Sequence, residues 1–180
     1  MPGAPFVLVH GGWPGAWCWD RVRPWLSAAG ARVVAPDLPG HGEDRTPLAR
    51  LTATSSVERV AGAVRAEDSP VVLVGHSSGG MVISAVGDVV SERIAALVYV
   101  SAFLLPAGTS PPAAMRDDRE SLLLSSLVVD QDAGTTSLPR EDARRVFYAD
   151  CDDEVSDWAL DRLQAEPRVV GTAPAAQPAA

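Results

Sequence analysis

Ser77 stands at the centre of Gly75-His76-Ser77-Ser78-Gly79, directly after the apolar run Val71-Val72-Leu73-Val74. A serine with a glycine two residues away on either side fits a strand that ends, turns sharply and opens a helix. The glycines let the chain turn without Cβ clashes, and the serine hydroxyl is left exposed at the strand end. That placement suits nucleophilic attack on a carbonyl carbon. A second stretch, His10-Gly11-Gly12-Trp13, closes an earlier apolar run. Acyl transfer passes through a tetrahedral intermediate whose negative oxygen needs two backbone N–H groups aimed at it. Ser78, the residue after the nucleophile, would supply one and Gly12 the other, with the helix opening at Ser78 adding the positive end of its dipole. Ser77 taken alone is equally an ordinary turn serine; the loop at Gly12 is what favours the nucleophile.

A serine nucleophile needs a base within about 3 Å of its hydroxyl. The chain has three histidines, and none follows residue 76. The side chain of His76, next to Ser77 in the turn, is expected to point elsewhere, and His10 to be a packed residue steadying the loop at Gly12. His41, in the turn-rich Asp37-Leu38-Pro39-Gly40-His41-Gly42, is the one geometric candidate for a substitute base. The acids Asp150, Asp152 and Asp153 read as helix caps rather than a catalytic carboxylate.

The elements that must position these residues follow from periodicity. Short apolar runs at 6–9, 32–35, 71–74 and 95–101 read as strands, the first of them buried on both faces as a parallel sheet requires. Helices are expected over 17–29, ended by Gly30, and over 56–66, where Val57, Val60, Ala61 and Val64 make one apolar face. Another is expected after the elbow, through Met81, Val82, Ala85, Val86 and Val89. Strands alternating with helices predict a mainly parallel α/β sheet. Right-handed crossovers would gather the loops at Gly12, His41 and Ser77 along one sheet edge, where such sheets bind ligands. The alternation stops near Leu104. Residues 1–104 are thus expected to form the core and 105–166 a helical cap, with helices near 140–148 and 154–163 and Ser137 capping the first. The Ala/Pro-rich 167–180 is expected to be a disordered tail.

The formal net charge of −8 argues against a nucleic-acid partner. All 15 basic residues are arginine, so no lysine chemistry is available. Cys18 and Cys151 are too few for a disulfide framework and do not have zinc-site spacing; no metal or cofactor is expected. No leader and no membrane span is expected, which makes a cytoplasmic location the default. Four tryptophans, Trp13, Trp17, Trp19 and Trp25, are candidates for a pocket lining or for core, and Trp25 is expected in the core. Asp37 ends a strand where a dinucleotide-binding fold would place its ribose acid, but Gly11-Gly12-Trp13-Pro14-Gly15 lacks the G-x-G-x-x-G spacing.

Together, Val7-Leu8-Val9-His10-Gly11-Gly12, Gly15-Ala16-Trp17-Cys18-Trp19, Asp37-Leu38-Pro39-Gly40-His41-Gly42 and Gly75-His76-Ser77-Ser78-Gly79-Gly80 resemble, in order and spacing, the α/β-hydrolases of the esterase and hydroxynitrile-lyase-like branch. The resemblance runs from about residue 6 to about residue 166. It implies four of the usual sheet strands, Ser77 as nucleophile, Gly12 and Ser78 as oxyanion donors, and a small ester or acyl compound as substrate. It departs at the C-terminal side: the family's two further strands, whose loops carry the catalytic aspartate and histidine, have no counterpart here. Three functional expectations follow: an esterase-like serine hydrolase, an inactive truncated homologue that at most binds a ligand or partner, or a lyase of the same branch. Without the two strands, Ala95 to Ser101 would form an open apolar edge inviting self-association.

Overall fold

Val7, Leu8 and Val9 are almost wholly buried because the strand that holds them lies inside a sheet covered on both faces. The computed structural model describes residues 3–106 and 108–171. Its main sheet contains β1 (Phe6–Val9), β2 (Val33–Val34), β3 (Val71–His76) and β4 (Ile94–Val100), all parallel, in the order β2-β1-β3-β4. This is the expected α/β architecture. Side chains alternate between the faces of a strand. Val7 and Val9 therefore join one cluster with Val71, Leu73, Val60, Val64, Ile83 and Val86, beneath α2 (Ser55–Arg65) and α3 (Gly79–Val90). Leu8 and Val74 join Trp19 in a smaller cluster on the opposite face.

The helix expected over residues 17–29 is two pieces. A 3₁₀ turn covers Ala16–Trp19, and the α-helix starts afresh as α1 (Arg23–Ala28). Pro24 explains the break: lacking an N–H, proline is tolerated only in a helix's first turn. The restart changes the helix phase, so Leu26 packs on the sheet and Trp25 is 79% exposed, not in the core.

The segment beyond β4 differs more from the expectation. It does contain helices: α4 (Pro111–Asp117), α5 (Leu123–Ser126), α6 (Arg140–Phe147), α7 (Asp153–Leu160) and α8 (Arg168–Gly171). It also holds a second, antiparallel sheet of β5 (Val128–Asp130), β6 (Thr135–Ser137) and β7 (Glu166–Pro167), in that order. Strands of two or three residues carry too little alternation to be seen in sequence. Ser137 is consequently paired with Val128 in this sheet and does not cap α6, whose N-cap is Pro139. Of the expected tail, Pro167 lies in β7 and 168–171 are helical; 172–180 lie outside the described residues. Asp152 does act as a helix cap, its Oδ1 accepting the Val155 N–H at 2.8 Å.

Among the described residues β4 has β3 as its one strand neighbour and lies at the sheet edge. Along it Leu97, Val98 and Val100 are 37%, 39% and 42% exposed. Among the described residues no helix is long and apolar enough to cross a membrane. None of their His, Cys, Asp and Glu side chains are grouped in threes or more so as to hold a metal ion.

Candidate active site

The turn after β3 places Ser77 at φ 52°, a left-handed conformation that few side-chain-bearing residues adopt. Strain of this kind persists only where the surroundings over-determine it. Here the chain closes on itself. A Cβ at Gly79 would lie 2.7 Å from the His10 carbonyl oxygen, and one at Gly75 would lie 2.7 Å from the Gly79 carbonyl oxygen. The Ser77 carbonyl accepts N–H bonds from Gly80 and Phe103, both 3.0 Å long. The loop after β1 comes equally close, since a Cβ at Gly11 would be 2.8 Å from that of Ser77. The glycines are needed because nothing larger fits, while the turn itself is made by the serine.

Ser77 sits where two cavities meet. One has roughly 590 Å³ of empty space, partly open to solvent, and is walled by Phe103, Pro111, Met115, Leu123, Leu124 and Leu127. Gly12, Ser78, Glu166 and Arg168 line it as well. The other, roughly 1070 Å³ and also partly open, is lined by Trp13, Trp17, Trp19, Phe147, Tyr148 and Trp158. Three of the four candidate tryptophans thus face a cavity. Gly12 and Ser78, the two expected oxyanion donors, both border the first cavity beside Ser77. Among the described residues neither N–H has a hydrogen-bond partner, whereas those of Trp13, Ser77 and Gly80 are all engaged.

None of the three histidines hydrogen-bonds the Ser77 hydroxyl. His10 is buried against the loop at Gly12. Its Nε2 accepts the Leu38 N–H at 3.0 Å, so Nδ1 carries the proton and donates to the Gly11 carbonyl at 2.7 Å. Burial, with the nearby His41, lowers its pKa to about 4. His76 packs edge-on to Trp19, and burial lowers its pKa too. His41, the candidate substitute base, is committed elsewhere. Its Nδ1 donates to the Pro39 carbonyl at 3.2 Å, and its Nε2 lies 2.6 Å from Glu166 Oε2. Both ring nitrogens being used, it has none to offer Ser77. Asp37 ties loops together, accepting the Ala16 N–H at 2.6 Å and the Glu43 N–H at 3.0 Å, which leaves no role for it on a ribose.

Sequence reasoning missed Glu166. It is 5% exposed, and its Oε2 accepts the Trp13 N–H at 3.0 Å besides meeting His41. A Cβ at Gly12 would fall 3.1 Å from the same oxygen. Nothing in Gln164-Ala165-Glu166-Pro167 signals this, because the contact is made by folding β7 back across 125 residues of chain.

The chain resembles known proteins in sequence and in fold. The chain is 43% identical over 110 residues to a carbendazim hydrolyzing esterase of Nocardioides sp. (strain SG-4G), a match covering 59% of this chain and 45% of that protein. It is 38% identical over 112 residues to Methylesterase 7 of Arabidopsis thaliana, covering 60% and 43%. The chain therefore spans less than half the length of these curated relatives. Among solved structures, an extracellular alpha/beta-hydrolase from a Paenibacillus species superposes with a TM-score of 0.79 at 26% identity, over 97% of this chain and 71% of that one. Polyneuridine aldehyde esterase superposes with the same TM-score, 0.79, at 25% identity, over 96% and 74%. The model of the Alpha/beta hydrolase family matches residues 6–180, and with the parallel sheet and the turn at Ser77 already described, the chain belongs to that family.

Proposed function

We propose that Ser77 is the nucleophile of a carboxylic-ester hydrolase site, with the Gly12 and Ser78 N–H groups as oxyanion donors and a small, largely apolar ester as substrate. The observation that carries this reading is the pair of unengaged N–H groups beside a serine held at φ 52° on the wall of an apolar cavity. The kinship to a carbendazim hydrolyzing esterase and to plant methylesterases supports ester substrates. Ser77 Oγ would add to the carbonyl carbon while the carbonyl oxygen takes the negative charge between the two N–H groups; the hydroxyl proton would pass through solvent water to the leaving oxygen, so that an alcohol departs and leaves an acyl-serine that a second water cleaves to the acid. The dipole of α3, whose N-cap is Ser78, favours the same charge.

A second reading is favoured by the histidine geometry. With His10, His41 and His76 all turned to other partners, the 180 residues would bind an ester without turning it over. Losing the base costs on the order of 10⁶ in kcat in serine proteases, about 8 kcal/mol of transition-state stabilisation. One assay separates the two. Release of 4-nitrophenol from 4-nitrophenyl butyrate is measured for the chain and for Ser77→Ala, with intact mass recorded after exposure to a fluorophosphonate. Turnover and labelling that depend on Ser77 support the hydrolase. Equal rates and no added mass would overturn it in favour of the binding reading.

A further inference from the structure

Trp13 is the second side-chain-bearing residue of the site with a left-handed backbone, at φ 70°. Four contacts hold it, and all come from the segment beyond β4. Its N–H donates to Glu166 Oε2 at 3.0 Å, and its carbonyl accepts the Gln164 N–H at 3.0 Å. Its indole Nε1 donates to the Thr136 carbonyl at 3.2 Å, and its ring lies 5.7 Å from that of Phe147. The Trp13 N–H shares its peptide with the Gly12 carbonyl, and the Gly12 N–H lies in the peptide before, whose Gly11 carbonyl His10 Nδ1 holds at 2.7 Å, so Trp13 anchors one end of Gly12 and His10 the other.

Proton bookkeeping makes the Glu166 contact conditional. The Pro39 carbonyl only accepts, so His41 Nδ1 must carry a proton to bond it. The 2.6 Å contact between His41 Nε2 and Glu166 Oε2 then requires one further proton between those two atoms. With it the pair is net neutral and Oε2 is held in place to receive the Trp13 N–H. Without it the neutral imidazole can keep one of its two bonds: with the proton on Nδ1 the Nε2 lone pair repels a buried carboxylate, and with the proton on Nε2 the Pro39 carbonyl loses its donor. The groups around the pair are the His10 ring, 5.2 Å from that of His41, Asp37 on the same loop as His41, and Arg168, which lines the cavity with Glu166.

We infer that Glu166 is a positioning residue: bridging His41 and the Trp13 N–H, it fixes the oxyanion loop with the Gly12 N–H free for substrate, and it does so only while the pair retains its shared proton. The catalytic consequence rests on the hydrolase reading of Ser77; the loop geometry does not. Glu166→Gln should keep only one half of the bridge, because both contacts fall on the single atom Oε2, where an amide places either an acceptor for Trp13 or a donor for a neutral Nε2. Glu166→Ala should remove it.

The test follows the Trp13 amide by ¹H–¹⁵N NMR, with its hydrogen exchange, alongside the His41 ring carbon signal, from pH 5 to 10. In the wild type the two resonances should titrate together, above the ordinary imidazole range, with the amide protected below that point and exchanging faster above it. In Glu166→Gln the amide should show intermediate protection with no such titration, and in Glu166→Ala it should exchange freely at every pH. A Trp13 amide that ignores the His41 titration, or keeps its protection in Glu166→Ala while the protein remains folded, overturns the inference. A second arm measures Ser77-dependent ester hydrolysis. Glu166→Ala should lose on the order of 10²-fold in kcat with KM little changed, the size expected of misplacing a catalytic group by about 1 Å. Glu166→Gln should fall between Glu166→Ala and the wild type and lack the wild type's alkaline decline. If the wild type shows no Ser77-dependent rate, the hydrolase reading fails while the amide signature still decides the bridge. If it is active and Glu166→Ala matches it at all pH values, the positioning role is overturned.

Discussion

His10 and His41 lie with ring centres 5.2 Å apart and respond to pH in opposite directions. Burial lowers the His10 pKa to about 4, so its contribution to stability is complete above 6.5 and is lost as pH falls from 6.5 toward 4. Burial also pulls His41 down, but the hydrogen bond and the charge of Glu166 outweigh it, and the net shift is upward. Its contribution is therefore complete below 6.5 and is lost as pH rises through the folded value. Urea midpoints across pH 4 to 10 should form a dome, and His41→Gln should flatten its alkaline side while leaving the acid side in place. Gly79→Ala is a sterner residue-scale test. Its Cβ would stand 2.7 Å from the His10 carbonyl and 2.8 Å from that of Val9, both backbone atoms that cannot swing away. Overpacking of this kind costs about 1–3 kcal/mol, which should appear as a lower urea midpoint with unchanged slope.

At the level of elements, what could be read in sequence depended on how local the determining signal was. The run Val71-Val72-Leu73-Val74 followed by the Ser77 turn announced β3 and α3 because every residue involved lies within twenty positions. The parallel sheet was legible for the same reason, each strand being a short apolar run followed by glycine or turn residues. The sheet of β5, β6 and β7 was hidden: Val128 and Val129 are exposed, and Thr136 pairs with Glu166 thirty residues later. Local pattern cannot announce a pairing whose partner is chosen by tertiary packing. Glu166, carried by β7, was hidden with it, and so was half of what holds the candidate site. Trp25 shows the converse error, in which a correct apolar pattern was assigned the wrong phase because Pro24 restarts the helix. Among the caps, Asp152 at α7 is the one with a measurable share in stability. Asp152→Ala should cost about 1 kcal/mol in chemical denaturation, and Asp152→Asn should recover most of it, since both side chains can accept the Val155 N–H.

For the whole molecule, the outstanding feature is the flank at β4. An edge strand presents unpaired N–H and C=O groups, and proteins ordinarily blunt such edges with charge, proline or a covering element. From Ile94 to Val100 this strand is Ile-Ala-Ala-Leu-Val-Tyr-Val, with no charged residue and no proline. We expect concentration-dependent association in sedimentation velocity, reduced by Val98→Lys or Val100→Glu and unaffected by the same charge introduced at Trp25, which is exposed but far from the edge in sequence and fold. A single monomeric species at all concentrations, or equal association in every variant, would contradict this.

Trp13 gives the molecule a property that matters to anyone who would re-engineer it. Its backbone belongs to the loop beside Ser77, but Thr136, Gln164, Glu166 and Phe147 hold it in place. A covering segment is usually regarded as an exchangeable part, to be swapped between homologues to alter which molecules are accepted. Here the part carries one side of the machinery. A chimera that imports a foreign covering segment without those four anchors should bind its new ligand and yet let the loop at Gly12 drift. Laboratory selection on such chimeras should return first to position 166.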